Sequence, residues 1–329
     1  MISLVTGGAG FIGSHVTKHL LNRGHQVIVL DDLSGGLRDQ VDQRATFIQG
    51  SILDEQLIAE IFKDHKIDYV FHLAAYAAEG LSHFIRKFNY ENNLIGSANL
   101  INASVNNKVK SFVFTSSIAV YGSQNPPMTE DMLPMPEDPY GIAKYAVEMD
   151  LKCAHDLFGM NYVVFRPHNV YGENQNIGDR YRNVVGIFMN QLMKGEPLSI
   201  YGDGIQTRAF SYIDDVAPII AMAVETNSAQ NQIFNIGGVE NTSVKDLAQT
   251  VMKSMRLNGE IKHFAARNET EHAFSDHSKL ERIFGTLSKT PLEKGLKNMA
   301  EWAKSAGSKP SKKFKNIEIL DGLPANWSE

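Results

Sequence analysis

The stretch TGGAGFIGSH, residues 6–15, spaces Gly7, Gly10 and Gly13 three apart, directly after the apolar run ISLVT and at the opening of a helical period. Glycine at such positions permits a tight strand-to-helix turn and lets the N–H groups of a helix N-terminus approach a pyrophosphate. Asp31 follows 18 residues after Gly13, at the end of the second apolar run, QVIVLDD. A carboxylate there accepts hydrogen bonds from both hydroxyls of an adenosine ribose and repels a 2′-phosphate, which points to NAD in preference to NADP.

Outward from this turn, short apolar runs recur at 2–7, 26–32, 45–50, 68–75, 111–117 and 161–167, separated by stretches of helical period such as 83–106 and 140–158. That alternation predicts an α/β fold, a Rossmann-like doubly wound parallel sheet with helices on both faces. Beyond residue 168 the pattern loosens into a Gly/Asn-rich loop (172–179), a helix near 181–194, and short strands and helices. The expected division is an NAD-binding domain made mainly of residues 1–168 and a smaller, interleaved C-terminal substrate-binding lobe made mainly of 169–329, with segments returning to the first domain.

With 329 residues, 43% of them hydrophobic and 21% charged, the chain can bury a large core. A net charge of -5 leaves no electrostatic footprint for nucleic acid. The densest basic run, SKPSKKFK (308–315), reads as a solvated connector. A single cysteine, Cys153, excludes an intramolecular disulfide framework and a four-cysteine zinc site, and it fits a reducing compartment. No apolar run approaches the roughly 18–20 residues of a membrane helix, and the chain opens on a strand in place of an export signal, so the expected location is cytoplasmic, away from membranes. No metal is expected, because His168 has no second His or carboxylate at ligand spacing.

A second motif, DPYGIAKYAVE (138–148), sets Tyr140 and Lys144 four apart on one face of a helix. A phenol with an ordinary pKa near ~10 acts as a base at neutral pH only where positive charge lowers it, and an ammonium one turn away beside a cationic nicotinamide would do so. Ser117 precedes Tyr140 by 23 residues, at the end of an apolar run.

Taken together, TGGAGFIGSH, HLAA (72–75), the Asn pair at 92–93, SS..VYG, PYG.AK, RPHNVYG (166–172), YGDG.QTR.F.YIDD (201–215) and FNIGG (234–238) resemble the extended short-chain dehydrogenase/reductases, in particular the nucleotide-sugar epimerases and dehydratases. The resemblance implies NAD as cofactor and a nucleotide-diphosphate sugar as substrate. It implies Ser117, Tyr140 and Lys144 as the catalytic triad. Around the cofactor it implies Gly7, Gly10, Phe11, Ile12 and Gly13 at the turn. Asp31, Asp32, Ser51 and Ile52 belong to the adenosine side, and Leu73, Ala74, Ala75, Asn93 and Pro167 line the remainder, with Tyr140 and Lys144. Asn169 and Arg208 are implied as diphosphate ligands, with Glu79, Ser116, Ser117 and Arg267 on the substrate side. A homodimer paired through the helices near 83–106 and 140–158 is implied as well.

Within that family the positions of Ile118 and Ala119 resemble the Asp-Glu pair by which 4,6-dehydratases eliminate water. Decarboxylating relatives carry Glu where Ala119 stands, and GDP-mannose 3,5-epimerases carry Cys there. Neither Ile118 nor Ala119 can move a proton. The residues that remain suffice for a 4-epimerase resembling the UDP-galactose and UDP-glucuronate enzymes, through a transient 4-keto sugar. Glu79, in YAAEGLSHF, keeps open a 3,5- or 2-epimerase or a net oxidoreductase with an added acid/base, and a non-catalytic NAD-sensing module is a third reading. Ser51 stands where many relatives have an adenine-contacting Asp, and Ala77 where the UDP-galactose enzymes have Lys. Arg180 and Arg182 lie near the expected substrate lobe, where they read either as ligands of a sugar carboxylate or phosphate or as surface residues.

Overall fold

Leu4 and Val5, neighbours in β1 (Ile2–Thr6), are both fully buried but belong to different cores. Successive side chains of a strand point to opposite faces, so a strand apolar at each position must be covered on both. The split recurs in β2 (Gln26–Asp31), where Val27 and Val29 join Val5 while Ile28 and Leu30 join Leu4. The computed structural model describes residues 1–266, 270–285, 289–311, 313–324 and Trp327.

β1 and β2, with β3 (Thr46–Gln49), β4 (Tyr69–His72), β5 (Ser111–Thr115), β6 (Asn161–Pro167) and the strand Gln232–Ile236, form one seven-stranded parallel sheet. Its order is the Gln232–Ile236 strand, β6, β5, β4, β1, β2, β3. The direction of winding reverses at β1, between β4 and β2, and in such sheets the crevice at the carboxyl ends beside that point is the ligand site. The core of Val5 continues into the C-terminal half through Phe188, Ile213, Leu247 and Leu296, so the two halves share buried apolar contacts.

Several expectations need correction. β5 ends at Thr115, two residues short of the expected run, and Ser117 caps a 3-10 turn, Ile118–Tyr121. The stretch 83–106 is not one helix. It comprises Arg86–Tyr90, a π-helical turn Glu91–Ile95 and the helix Gly96–Asn106, preceded by the short helix Glu79–Ser82. Buried Asn89 and Asn93 sit on this interruption and hydrogen-bond each other at 2.8 Å, a polar contact that apolar periodicity does not register. The Gln232–Ile236 strand was not among the expected runs; pairing with β6 buries its Phe234 and Ile236. The run 308–315 is no solvated connector either, since Lys309 exchanges two backbone hydrogen bonds with the Asn190 amide and the Phe314 ring packs on Tyr76 and Phe88. Among the described residues no helix is long and apolar enough to cross a membrane.

Candidate active site

At the first turn Gly7 has φ +71°, and a Cβ on it would lie 2.6 Å from the Ala74 nitrogen, while one on Gly13 would lie 2.0 Å from the Gly7 carbonyl oxygen. Side chains are excluded, and the turn lies against the end of β4. The helix Phe11–Asn22 starts at Gly10 with no side-chain cap and no acidic residue in its first turn. Its leading N–H groups open on a cleft lined by Gly7, Gly10, Phe11, Ile12 and Gly13. Asp31 lines the same cleft and accepts from the backbone of Ala9 at 3.0 Å and Leu33 at 2.8 Å. Burial pushes its carboxyl up and those N–H bonds pull it back. A phosphate cradle that no Cβ can enter, followed by a carboxylate at the end of β2, fits NAD.

The helix Pro139–Phe158 is well specified: the Asp138 side chain accepts from Gly141 N–H at 2.9 Å, Pro139 holds the first position, and Gly159, at φ +73°, ends it. Tyr140 thus stands in the first turn and Lys144 one turn on, both buried and both facing the cleft. The Tyr140 phenol lies beside Ser117, and both line the cleft. Burial pushes the phenol well above its ordinary value, Ser117 draws it down, and the charges of Asp138 and Glu79 push it up again. Lys144 Nζ donates to the Thr115 carbonyl at 2.8 Å and lies 5.7 Å from the centre of the Tyr140 ring. Burial lowers its pKa to about 7, against the opposing charge of Glu148. Among the protein's own groups, loss of water around the phenol is the largest influence on Tyr140.

Ser116 and Ser117 diverge. Ser117 Oγ accepts from the Ala119 N–H at 3.1 Å beside Tyr140. Ser116, only 2% exposed, donates to Glu148 at 2.5 Å, and Glu148 holds Arg166 through two hydrogen bonds of 2.9 and 2.5 Å. The Ser116 hydroxyl expected on the substrate side is thereby engaged in a buried network. Ile118 and Ala119 both line the cleft.

The cleft is about 1590 Å³, above the roughly 300–1,000 Å³ of a site for one small ligand, and so has room for a dinucleotide and a second nucleotide together. Asp32, Ile52, Leu73, Ala74, Ala75 and Pro167 line it as expected. So do Glu79, Asn169 and Arg208 on the other side. Arg208 Nη1 donates to the carbonyls of Thr207 and Glu271, at 2.9 and 3.0 Å, and Asn169 donates to that of Ala209 at 3.3 Å. Two expected cofactor ligands do not line the cleft. Ser51 Oγ accepts from the Leu53 N–H at 3.1 Å in a local turn. Asn93, 1% exposed, clamps the backbone of Tyr76 through both ends of its amide, at 2.9 and 3.1 Å, and so positions the loop after β4. Arg267 lies outside the described residues.

Sequence reasoning missed other members of the site. Gln175, 4% exposed, lines the cleft with neither amide atom hydrogen-bonded among the described residues. Arg180 and Arg182, expected near the substrate lobe, do line the cleft, and Arg182 pairs with Asp179 at 2.7 Å and lies over the Tyr76 ring, at 4.7 Å. His277 comes to 3.2 Å from His168 in space, though 109 positions away in the chain. Burial lowers both imidazoles, His168 to about 4 and His277 to about 3. No group of three or more His, Cys, Asp or Glu that could hold a metal occurs among the described residues. Trp327 also lines the cleft, and of the tail only the two aromatic residues, Phe314 and Trp327, could have signalled burial.

The model of the NAD dependent epimerase/dehydratase family matches residues 3–237. The UDP-glucose 4-epimerase of Thermotoga maritima, solved with UDP-glucose, is 37% identical, with a TM-score of 0.89 over 93% of this chain and 99% of its own. The UDP-glucuronic acid 4-epimerase of Bacillus cereus, solved with UDP-glucuronic acid and NAD, is 30% identical, with a TM-score of 0.85 over 93% of this chain and 100% of its own. The UDP-N-acetyl-alpha-D-glucosaminuronate decarboxylase of Bacillus cytotoxicus is 32% identical over 322 residues, 91% of this chain and 96% of its own, so similarity extends to a different reaction. With its phosphate cradle, its Ser-Tyr-Lys cluster and a match across most of its length, the chain belongs to the NAD dependent epimerase/dehydratase family, an enzyme family whose cofactor is NAD.

Proposed function

We propose that the protein is an NAD-dependent 4-epimerase of UDP sugars. One observation carries this reading: Ser117, Tyr140 and Lys144 converge on the cleft while the next wall residues, Ile118 and Ala119, bring no group able to move a proton. The similarity to 4-epimerases solved with UDP sugars supports the substrate class.

NAD, when bound, supplies a hydride acceptor that returns what it takes. The turn at Gly7, Gly10 and Gly13 and the Asp31 carboxylate hold it. Tyr140 removes the proton of the sugar 4-hydroxyl, and Ser117, beside the phenol, holds the same oxygen and relays the proton. Lys144, fixed on the Thr115 carbonyl, favours the ionised phenol whenever it carries its own proton. The 4-keto sugar turns over in the cleft, so that the opposite face of C4 would be presented for the hydride's return, and Tyr140 gives the proton back to the 4-oxygen. Arg208 and Asn169 grip the diphosphate, the Arg fork matching its oxygens.

A second reading has one observation in its favour. Glu79 lines the cleft and its charge pushes the Tyr140 phenol up, so a second carboxylate acts at the reacting centre. With Glu79 as acid/base the enzyme would invert C3 or C5 instead. Turnover in D2O separates the two, because only the second reading breaks a carbon–hydrogen bond open to solvent. We further infer a homodimer joined through the helices Gly96–Asn106 and Pro139–Phe158, whose surface leaves Ile142 and Met149 40% and 47% exposed beside Ile95 at 49%.

A further inference from the structure

The C-terminal segment crosses from one half of the molecule to the other. Lys309 pairs with the amide of Asn190, and the Phe314 N–H donates to the Tyr181 hydroxyl at 2.9 Å. Its ring then packs on Tyr76 and Phe88, with centroids 5.4 and 4.9 Å apart. Glu318 accepts from the N–H groups of Lys87 and Phe88, both at 2.8 Å, and donates its own N–H to the Phe84 carbonyl. Trp327, 3% exposed, ends edge-on to Tyr181 and Phe84. The segment thus ties the 177–190 region to the 76–90 region on either side of the cleft, and Ser311, Pro324 and Trp327 become part of its lining.

The position of Trp327 relative to the reacting groups is informative. The Tyr140 N–H donates to Ser82 Oγ at 3.3 Å, and Gly80, in the same short helix Glu79–Ser82, faces the Trp327 ring, with an added Cβ only 3.4 Å from it. The indole therefore stands against the helix that contacts Tyr140, where it lines the cleft. The Thermotoga enzyme is matched over 99% of its own length but over only 93% of this chain, leaving part of this chain unmatched.

We propose that residues 309–311 and 313–324 with Trp327 form the outer wall of the sugar subsite and decide which sugar the cleft admits. The inference rests on the UDP-sugar reading above. Its chemistry is exclusion: an indole ring and its aromatic neighbours offer apolar faces to a sugar ring and fill the space into which a bulky substituent would project.

The chain holds two tryptophans, so Trp302→Phe leaves Trp327 as the sole indole reporter in an otherwise intact protein. That variant, loaded with NAD, is titrated with UDP-glucose, UDP-glucuronate and UDP, with calorimetry registering binding. Trp327 emission should shift as a sugar nucleotide saturates and stay unchanged with UDP alone. Trp327→Ala should raise the Kd of the sugar nucleotide about tenfold while leaving that of NAD within about twofold, and should move the kcat/KM ratio toward UDP-N-acetylglucosamine by about tenfold. Truncation after Gly307 should do the same; if it fails to fold, the full-length emission decides. Bound sugar nucleotide with unchanged Trp327 emission, or an unaltered selectivity ratio in Trp327→Ala, overturns the proposal. Binding with the emission shift but without C4 inversion contradicts only the epimerase reading. If no sugar nucleotide binds, the substrate class falls and the wall falls with it.

Discussion

Ser116 donates its hydroxyl to Glu148 at 2.5 Å, bolting the end of β5 to the helix that carries Tyr140 and Lys144. Glu148 and Arg166 form a buried ion pair behind this contact, each side chain 2% exposed. The neighbouring Ser117 accepts from the Ala119 N–H at 3.1 Å and stands in the cleft beside Tyr140. Two adjacent serines thus have different partners, one inside the protein and one in the cleft.

Ser116→Ala should destabilise the fold by about 1.5–3 kcal/mol, the range for a hydrogen bond to a charged group, while KM for the sugar nucleotide changes less than about twofold. Glu148→Ala leaves Arg166 buried and unpaired and should cost about 3–5 kcal/mol. Denaturant unfolding and steady-state kinetics measure both. A large rise in KM for Ser116→Ala at unchanged stability would show that this hydroxyl touches substrate.

Tyr140→Phe keeps the ring and removes the hydroxyl. Turnover should fall by about 10²–10⁴-fold, the range for a positioned proton-transfer group, with NAD still bound. Calorimetry for NAD and an NMR assay for turnover report the two effects separately. Near-normal turnover would remove Tyr140 from the mechanism.

Lys144 gives a pH signature. Burial lowers its pKa to about 7, whereas in the unfolded chain it is near ~10.4. Between these values the unfolded state binds the proton and the folded state does not, so this group makes stability rise with pH across that window. Below about 7 the penalty of burying the charged form is fully present. Lys144→Met should therefore be more stable than the parent at pH 6, lose that advantage as pH rises toward 10, and turn over poorly at both. Parallel stability curves for the two proteins would contradict the assignment.

Where the sequence was legible, chemistry had a short range. The glycine turn, Asp31, and the Tyr140–Lys144 spacing are local patterns tied to one backbone geometry each, and the alternation of apolar runs reports the two-sided burial of Leu4 and Val5 directly. What stayed hidden depends on partners far along the chain. Nothing near Asn93 announces that its amide clamps Tyr76, nor does anything near His168 announce His277. The tail misled because its lysines dominate composition, while its docking depends on Phe314, Ile317, Leu323 and Trp327 packing near the 76–90 region and on Glu318 accepting from the Lys87 and Phe88 N–H groups.

Assembly follows from surface. Ile95, Ile142 and Met149 are 49%, 40% and 47% exposed, and in the homodimer proposed above a second copy would cover them. Light scattering at micromolar concentration should give twice the 36.6 kDa chain mass, and Met149→Lys should shift it toward the monomer. A monomeric parent protein would count against the four-helix contact.

The central claim is that only a hydroxyl proton moves. NMR of the product formed in D2O tests it most directly. Neither Ile118 nor Ala119 can take a proton from C3, C5 or C6, and the proton handled by Tyr140 belongs to oxygen, so the C4-inverted UDP sugar should carry no deuterium on any carbon. Inversion at C3 or C5 proceeds through an enol beside the 4-ketone and leaves deuterium on that carbon. Deuterium at C3 or C5 that disappears in Glu79→Gln would contradict the 4-epimerase account and assign the acid/base role to Glu79.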